Sequence, residues 1–448
     1  MSRNKIFLAL VLLFFLATRL YRIDTLPASV YWDEASIGYN AFSIATDLKD
    51  EWGDLLPLHF RAFGEFKLPV YIYSVVPFVK VLGLSAYAVR LPAVFYSLGS
   101  LVLVYLLAKK ITGKESAGIL SSFILSVSPW LFIFSRTGYE AAAGIFFFLL
   151  GTYLFLLTDK NKFNLLFGTT AFLLSFYSYN SFRIIIPVWL FGLLIYTFRR
   201  KNITVLLFSA LIFFISLVPV YRLYKFDTGG MRFSQVEIKN KTDFVKNYFS
   251  NFSPQFLFLK GDTNSRSQIP GHGELFLIDI PFILLGLYAI ARSRKVLYYL
   301  PLVALLLAPV PAAITKESPH ALRAILAAPS LAIISALGIN CLSGKVKKYS
   351  GILVAIAVIA YYLSFELYAV DFVTKYQNLS AGDWQYEYKE IFAGQKGGVV
   401  TDKYAQPYIF ALFYQKISPL EFRNSVKYNP PDKWGFSLVS SFNDFQFK

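Results

Sequence analysis

Long apolar runs separated by short polar breaks fill most of the 448-residue chain. A membrane-crossing helix needs about 20 mostly apolar residues. Runs of that kind lie at 5–20, 88–108, 115–134, 138–158, 163–179, 183–198, 202–221, 275–291, 296–314, 321–341 and 350–368, and they predict about eleven crossings. A further apolar stretch, 68–84, is short and carries Pro69, Pro77 and Lys80. Beyond 368 the chain becomes more polar, with strand-like runs at Gly398–Thr401 and Tyr408–Tyr414. The expected fold is an all-α polytopic membrane protein over 1–368, with long loops at 21–87 and 222–274. A small C-terminal α/β domain follows at 369–448.

Loop charge gives these runs a direction. Basic clusters stand at Lys109/Lys110/Lys114, Lys160/Lys162, Arg199/Arg200/Lys201, Arg292/Arg294/Lys295 and Lys345/Lys347/Lys348. They follow every second run from 88–108 onward, which marks them as cytoplasmic. The amino terminus, with Arg3 and Lys5, joins them. Run 5–20 then leads out and run 88–108 leads back. A crossing at 68–84 would put every later basic loop outside, so that stretch is expected to lie at the outer interface or to re-enter. Loops 21–87 and 222–274 and the tail are therefore expected to be extracytoplasmic. Run 5–20 reads as a retained helix, because Thr18-Arg19-Leu20-Tyr21 makes a poor signal-peptide cleavage site.

Composition agrees. The chain is 56% hydrophobic and 16% charged, against roughly 25% charged in soluble domains. A mean hydropathy of +0.51 excludes a soluble enzyme or a disordered chain. The lone Cys341 excludes an internal disulfide framework. The net charge of +17 is accounted for by the cytoplasmic loops and implies no nucleic-acid partner.

Charged residues beside membrane spans are costly and therefore informative. Those on the expected outer face fall into a few clusters. Tyr31-Trp32-Asp33-Glu34 sets two carboxylates among aromatics just beyond the first span. One suits a general base while the other binds or orients, although an acidic pair in isolation is most often a solvated loop feature. Lys67, in Phe63-Gly64-Glu65-Phe66-Lys67-Leu68-Pro69, suits a lipid phosphate or simple snorkelling. Arg90 suits a phosphate, an acid or an interfacial anchor. Arg136 and Glu140, flanking Tyr139, pair with each other in the simplest reading, while Glu140 could instead face the cleft of Asp33. Arg266 lies in the second loop. His320 and Arg323, three apart, share a helix face suited to phosphate. Tyr31, Trp32, Trp130 and Tyr139 form a wall suited to sugar stacking. The three histidines His59, His272 and His320 show no metal-ligand spacing, so neither a metal nor another cofactor is expected. No nucleotide-binding glycine loop is present. Acids and bases gathered on one membrane face suit a phosphate-linked lipid donor held by cations and an acceptor hydroxyl activated by a carboxylate.

These motifs resemble, in order, those of the GT-C glycosyltransferases. Asp33-Glu34 is similar to the acidic motif of that family's first outer loop. Lys67-Leu68-Pro69-Val70-Tyr71 resembles its Lys-Pro-Pro-Leu-Tyr element, Arg90-Leu91-Pro92 its Arg-Leu-Pro element, and Lys109-Lys110-Ile111-Thr112-Gly113 the basic loop that follows. Within it the motifs resemble those of dolichyl-phosphate-mannose protein mannosyltransferases and bacterial lipid A aminoarabinose transferases, most strongly over residues 1–200 and more weakly at His320 and Arg323. The resemblance implies a polyprenyl-phosphate sugar as donor and a catalytic first-loop aspartate. Asp33 would be the general base of an inverting transfer, with Glu34 beside it and Glu140 as the second acid. Lys67 would touch the donor phosphate and Arg90 would organise the site. Arg266, His320 and Arg323 are further phosphate candidates. The chain departs from the family pattern at Leu68, where a proline is usual, and its tail is too short for a β-trefoil, which weakens the case for a protein acceptor. Sugar, acceptor (protein, lipid or glycan) and carrier lipid stay open. Asn378-Leu379-Ser380 forms a sequon of no assigned use. The alternatives are a polyprenyl-linked glycan flippase, which would want charge at mid-membrane, and a non-catalytic scaffold displaying the tail.

Overall fold

The computed structural model describes all residues except 1–2, 198–202, 404–405 and 434. The basic cluster Arg199/Arg200/Lys201 lies outside the described residues.

A helix stands at each predicted crossing. The chain opens with α1 (Arg3–Leu20) and then lays α2 (Trp32–Asp47), a two-stranded hairpin of β1 (Phe60–Arg61) and β2 (Phe66–Lys67), and α3 (Pro69–Leu82) across one end of the bundle. α4 (Ala86–Thr112), α5 (Glu115–Val127), the single turn α6 (Pro129–Phe132), α7 (Ala141–Leu156), α8 (Asn164–Phe176) and α9 (Asn180–Thr197) follow. α10 (Ile203–Ser216) runs into α11 (Val218–Phe226). The second long loop holds α12 (Met231–Val236), α13 (Lys241–Ser250) and a π-helical turn, Gln255–Leu259. α14 (Asp279–Arg292), α15 (Leu300–Leu307), α16 (Val310–Ala313), α17 (Ala327–Lys345) and α18 (Ser350–Thr374) complete the bundle. Five stretches are long and apolar enough to cross a membrane: α4, Ile203–Phe226, Val296–Ala313, α17 and α18. α3, α5, α7, α8 and α9 are shorter and apolar. The chain is a multi-pass membrane protein.

Local chemistry explains several boundaries. Ser85 opens α4 by accepting a hydrogen bond from the Ala88 N–H. Gly113 closes it in the left-handed region, where its N–H reaches the Lys109 carbonyl. The predicted span 115–134 breaks at Pro129. Proline disfavours a helical residue before it, and Ser128 is extended at φ −64, ψ 127. Run 321–341 begins its helix only at Ala327, after a chain of turns. α18 continues to Thr374, past the expected 368.

The stretch 68–84 is the helix α3, opened by Pro69 at its first position. It packs on α2 and α4 through Tyr71, Ile72, Val75 and Val79, while Val81 is 82% exposed.

Beyond α18 come α19 (Tyr376–Ser380), α20 (Tyr386–Gly394), β3 (Gly398–Val400), α21 (Pro407–Gln415), α22 (Pro419–Ser425), β4 (Lys427–Tyr428), β5 (Val439–Phe442) and β6 (Phe445–Phe447). The sheet order is β3-β6-β5-β4, with β3 parallel to β6 and the other pairs antiparallel. Run Tyr408–Tyr414, expected as a strand, is the helix α21. Every residue from Pro407 to Phe413 is buried, so the run is apolar on all sides, and a continuous apolar run does not distinguish strand from helix. α21 joins Tyr39, Phe60 and Tyr71 of the loop region and Val89 of α4 in one core, and docks the tail onto α2.

Candidate active site

The first turn of α2 carries Asp33 and Glu34, and the fold sends them to opposite environments. Glu34 is fully buried. Its carboxylate takes two parallel hydrogen bonds from Arg90, Nε to Oε1 at 2.9 Å and Nη2 to Oε2 at 2.9 Å, and a third from the Gly138 N–H at 2.7 Å. The remaining Arg90 donors reach the carbonyls of Ile23, Pro27 and Ser29. All five guanidinium N–H groups are thus engaged inside the protein. Gly138 must lack a side chain here, since a Cβ would meet Val89 at 2.8 Å and Glu34 at 3.2 Å.

Asp33 points the other way, with its side chain one-quarter exposed. Lys67, at the end of β2, is buried and donates to Asp33 Oδ1 at 2.5 Å and to Glu65 Oε1 at 2.9 Å. Burial alone would lower the Lys67 ammonium, but Asp33, Glu65 and Glu140 outweigh it and hold the group charged, above the ordinary lysine range. Glu140, half-buried at the N-cap of α7, is pushed up to about 7. Burial is the main cause, opposed by Lys67 and reinforced by Asp33 and Glu65. Two carboxylates therefore bond the ammonium, and a third carboxyl group, Glu140, lies within its electrostatic reach.

Aromatic and cationic groups complete the cleft. Tyr31 and Tyr139 lie 5.3 Å apart, and the Arg266 guanidinium stands 5.1 Å from the Tyr31 ring. Arg266 Nη1 donates to the Asp383 carbonyl at 3.0 Å, while its buried Nε has no hydrogen-bond partner. Burial opposes its charge, but Tyr139, Tyr31, Asp33 and Asp383 raise it overall. Trp32 packs against Phe63, ring centroids 6.0 Å apart.

The structure brings together Tyr31, Trp32, Asp33, Lys67, Tyr139, Glu140 and Arg266. It does not bring Glu34 and Arg90 to the cleft surface; their geometry fits a staple between α2, α4 and the loop after α1. Arg136 does not pair with Glu140. Its guanidinium caps the end of α1, bonding the carbonyls of Thr18, Arg19, Tyr21 and Leu26. A cation satisfies free carbonyls at a helix C-terminus and matches its dipole. Trp130 is not part of the wall: it is buried, and its indole donates to the Ala321 carbonyl. His320 stands 3.5 Å from Asp262, and its titration is pushed down to about 3 by burial, then by Arg323 and Arg266. Residues 321–326 form turns, so His320 and Arg323 do not share the helix face expected of them. Arg323 bonds Thr315 and Glu317.

Glu65, Asp383 and Trp384 also reach the site, beyond the residues singled out from the sequence. Glu65 sits two residues before Lys67 on an extended segment, so both side chains fall on one face, a signal that was available. Asp383 and Trp384 come from the tail, more than 340 positions from Asp33, and nothing local announces them. Trp384 packs edge-on against Tyr31 at 5.4 Å.

Residues 9–178 match the family model described as dolichyl-phosphate-mannose-protein mannosyltransferase. A dolichol phosphate-mannose mannosyltransferase of Haloferax volcanii is 29% identical over 203 residues, covering 43% of this chain and 40% of that protein. The match thus spans well under half of the curated relative. ArnT from Cupriavidus metallidurans, solved bound to undecaprenyl phosphate, superposes with a TM-score of 0.61 at 12% identity, over 92% of this chain and 84% of that one. Archaeal AglB from Archaeoglobus fulgidus, an oligosaccharyltransferase in complex with an inhibitory peptide and a dolichol-phosphate, gives 0.54 at 12% identity, over 93% of this chain and 64% of that one. The resemblance to GT-C glycosyltransferases is borne out, and the chain has their fold.

Proposed function

We propose that this protein is a GT-C glycosyltransferase that moves a sugar from a polyprenyl-phosphate donor to an acceptor hydroxyl at the extracytoplasmic membrane face. The observation that carries this is the buried ammonium of Lys67 locked between Asp33 and Glu65, with Glu140 and Arg266 across the cleft. Lys67 donates two of its three protons to carboxylates, leaving one for a phosphate oxygen. Arg266 contributes a second positive charge and an uncommitted Nε–H.

In the proposed step Asp33 takes the proton of the acceptor hydroxyl. The oxygen attacks the anomeric carbon, the carbon–oxygen bond to phosphate breaks, and the departing phosphate keeps the electron pair. Lys67 and Arg266 neutralise the charge that develops there. A single direct displacement inverts the anomeric configuration, whereas retention would need a covalent carboxylate intermediate. Trp32, part exposed, offers a ring face to the sugar with the buried Tyr31 and Tyr139 packed behind the site, and Glu140 is the second acid. No step is assigned to a metal or another cofactor. Glu34 and Arg90 act through position, by fixing the helix start from which Asp33 projects. The basic loops at the opposite end of the bundle support placing the cleft outside.

Support for the donor class comes from the undecaprenyl phosphate and dolichol-phosphate bound by the two structural neighbours and from the mannosyltransferase relative. The test uses purified protein in nanodiscs, beginning with dolichyl- and undecaprenyl-phosphate mannose. The wild type should bind one of them saturably. Lys67→Ala should weaken binding. Asp33→Asn should keep binding and lose turnover by about 100-fold or more, the usual contribution of a general base. Full turnover in folded Asp33→Asn would refute the mechanism, and no binding of any polyprenyl-phosphate sugar would refute the function.

A further inference from the structure

A second cavity, of about 340 Å³, lies behind the segment that leads to Asp33. Asp24 and Ser29 from the loop after α1, Ser85 at the start of α4, Lys389 of α20, and Tyr414 and Lys416 at the end of α21 contribute its polar wall. Two bundle helices end at this level, so the cavity sits where the bundle meets the tail domain. Tyr87, in the first turn of α4 and 39% exposed, is part of its wall. An exposed tyrosine at the end of a membrane-crossing helix marks the membrane boundary.

The polar groups select for an anion. Two ammonium groups face one carboxylate, and among the described residues neither lysine makes an ion pair. Lys389 donates to the Ala28 carbonyl at 3.2 Å, which uses one of its three protons. The Tyr414 hydroxyl accepts from the Val30 N–H at 3.3 Å and is hydrogen-bonded with Ser29, whose own hydroxyl donates to the Trp384 carbonyl. Val30, Leu84 and Phe413 make the rest of the wall apolar. Two lysines without acidic partners at a membrane boundary, with apolar walls beside them, match a phosphate carried on a lipid.

We propose that this cavity binds the phosphate of a membrane-lipid headgroup through Lys389 and Lys416, separately from the cations of the donor cleft. Its occupant would tie the tail domain to the membrane. It would also brace the loop whose Ser29 carbonyl holds Arg90, a few residues before Asp33.

The full chain in neutral detergent is titrated with dioleoylphosphatidylglycerol, inorganic phosphate and dioleoylglycerol, and followed by native mass spectrometry and melting temperature. Phosphatidylglycerol should give one saturable adduct and raise the melting temperature. Lys389→Ala/Lys416→Ala should weaken it about tenfold or more, Lys389→Arg/Lys416→Arg should restore it, and Lys67→Ala should leave it unchanged. Lys416→Glu, on an exposed side chain, reads the same site if the double variant unfolds. Protection by inorganic phosphate with the same lysine dependence supports the site and assigns the free ion to it. Equal protection by dioleoylglycerol, lipid binding indifferent to both lysines, or loss only in Lys67→Ala overturns the proposal.

Discussion

Glu34 and Arg90 form a fully desolvated pair, and such pairs are unforgiving of half-removal. Deleting one partner leaves the other charge buried without a counter-ion, at a cost of about 3–5 kcal/mol. Arg90→Ala is therefore expected to lower the unfolding midpoint in detergent sharply, and Glu34→Gln should do likewise through its lost charge. Asp33→Asn, one residue away and part exposed, should lower it less, because Glu65 still pairs with the buried Lys67. Equal midpoints for Asp33→Asn and Glu34→Gln would contradict the division of labour between the neighbours. That division was invisible in the chain. The pair Asp33-Glu34 and the cations Lys67 and Arg90 stood out as chemistry beside a membrane span. Which carboxylate would meet which cation depended on the direction of α2's first turn.

At the scale of elements, α2 and the tail are joined through a buried acid. Glu51 accepts from the Tyr408 hydroxyl at 2.9 Å and from Asn40 Nδ2 at 3.1 Å, and burial pushes its titration up to about 8. The fold thus prefers the protonated acid. Its contribution to stability is full below the ordinary carboxylate value of 4.5 and is lost as pH rises toward 8. The slope is about 1.4 kcal/mol per pH unit for one group. Melting temperatures of wild type and Glu51→Gln, compared from pH 5 to pH 8, should diverge as pH rises, with the variant falling less. Parallel curves would remove Glu51 from the linkage. Helix positions were readable from apolar runs, and of the tail's sheet only β3, from the run Gly398–Thr401. The break at Pro129 was readable in principle from proline's effect on its predecessor. The identity of α21 was not, because burial on all sides erased its period.

For the whole molecule, the proposed orientation makes a direct prediction. In a Cys341→Ser background, Lys114→Cys at the basic end should resist a membrane-impermeant maleimide in intact cells, and Leu420→Cys on the exposed tail surface should react. The reverse pattern would invert the topology and move the cleft to the cytoplasm. Three properties were determined by the sequence alone: membrane residence, the alternation of helices, and the gathering of acids and bases on one side. All three follow from local composition, since the bilayer tests each segment by its own length and charge. Tertiary structure alone decided the rest. It buried Glu34 against Arg90, turned Arg136 onto the end of α1, and left His320 neutral. It also brought Asp383 and Trp384 from the tail to Arg266 and Tyr31. Those outcomes depend on distances between residues far apart in the chain, and on the burial that packing imposes, neither of which is written at any single position.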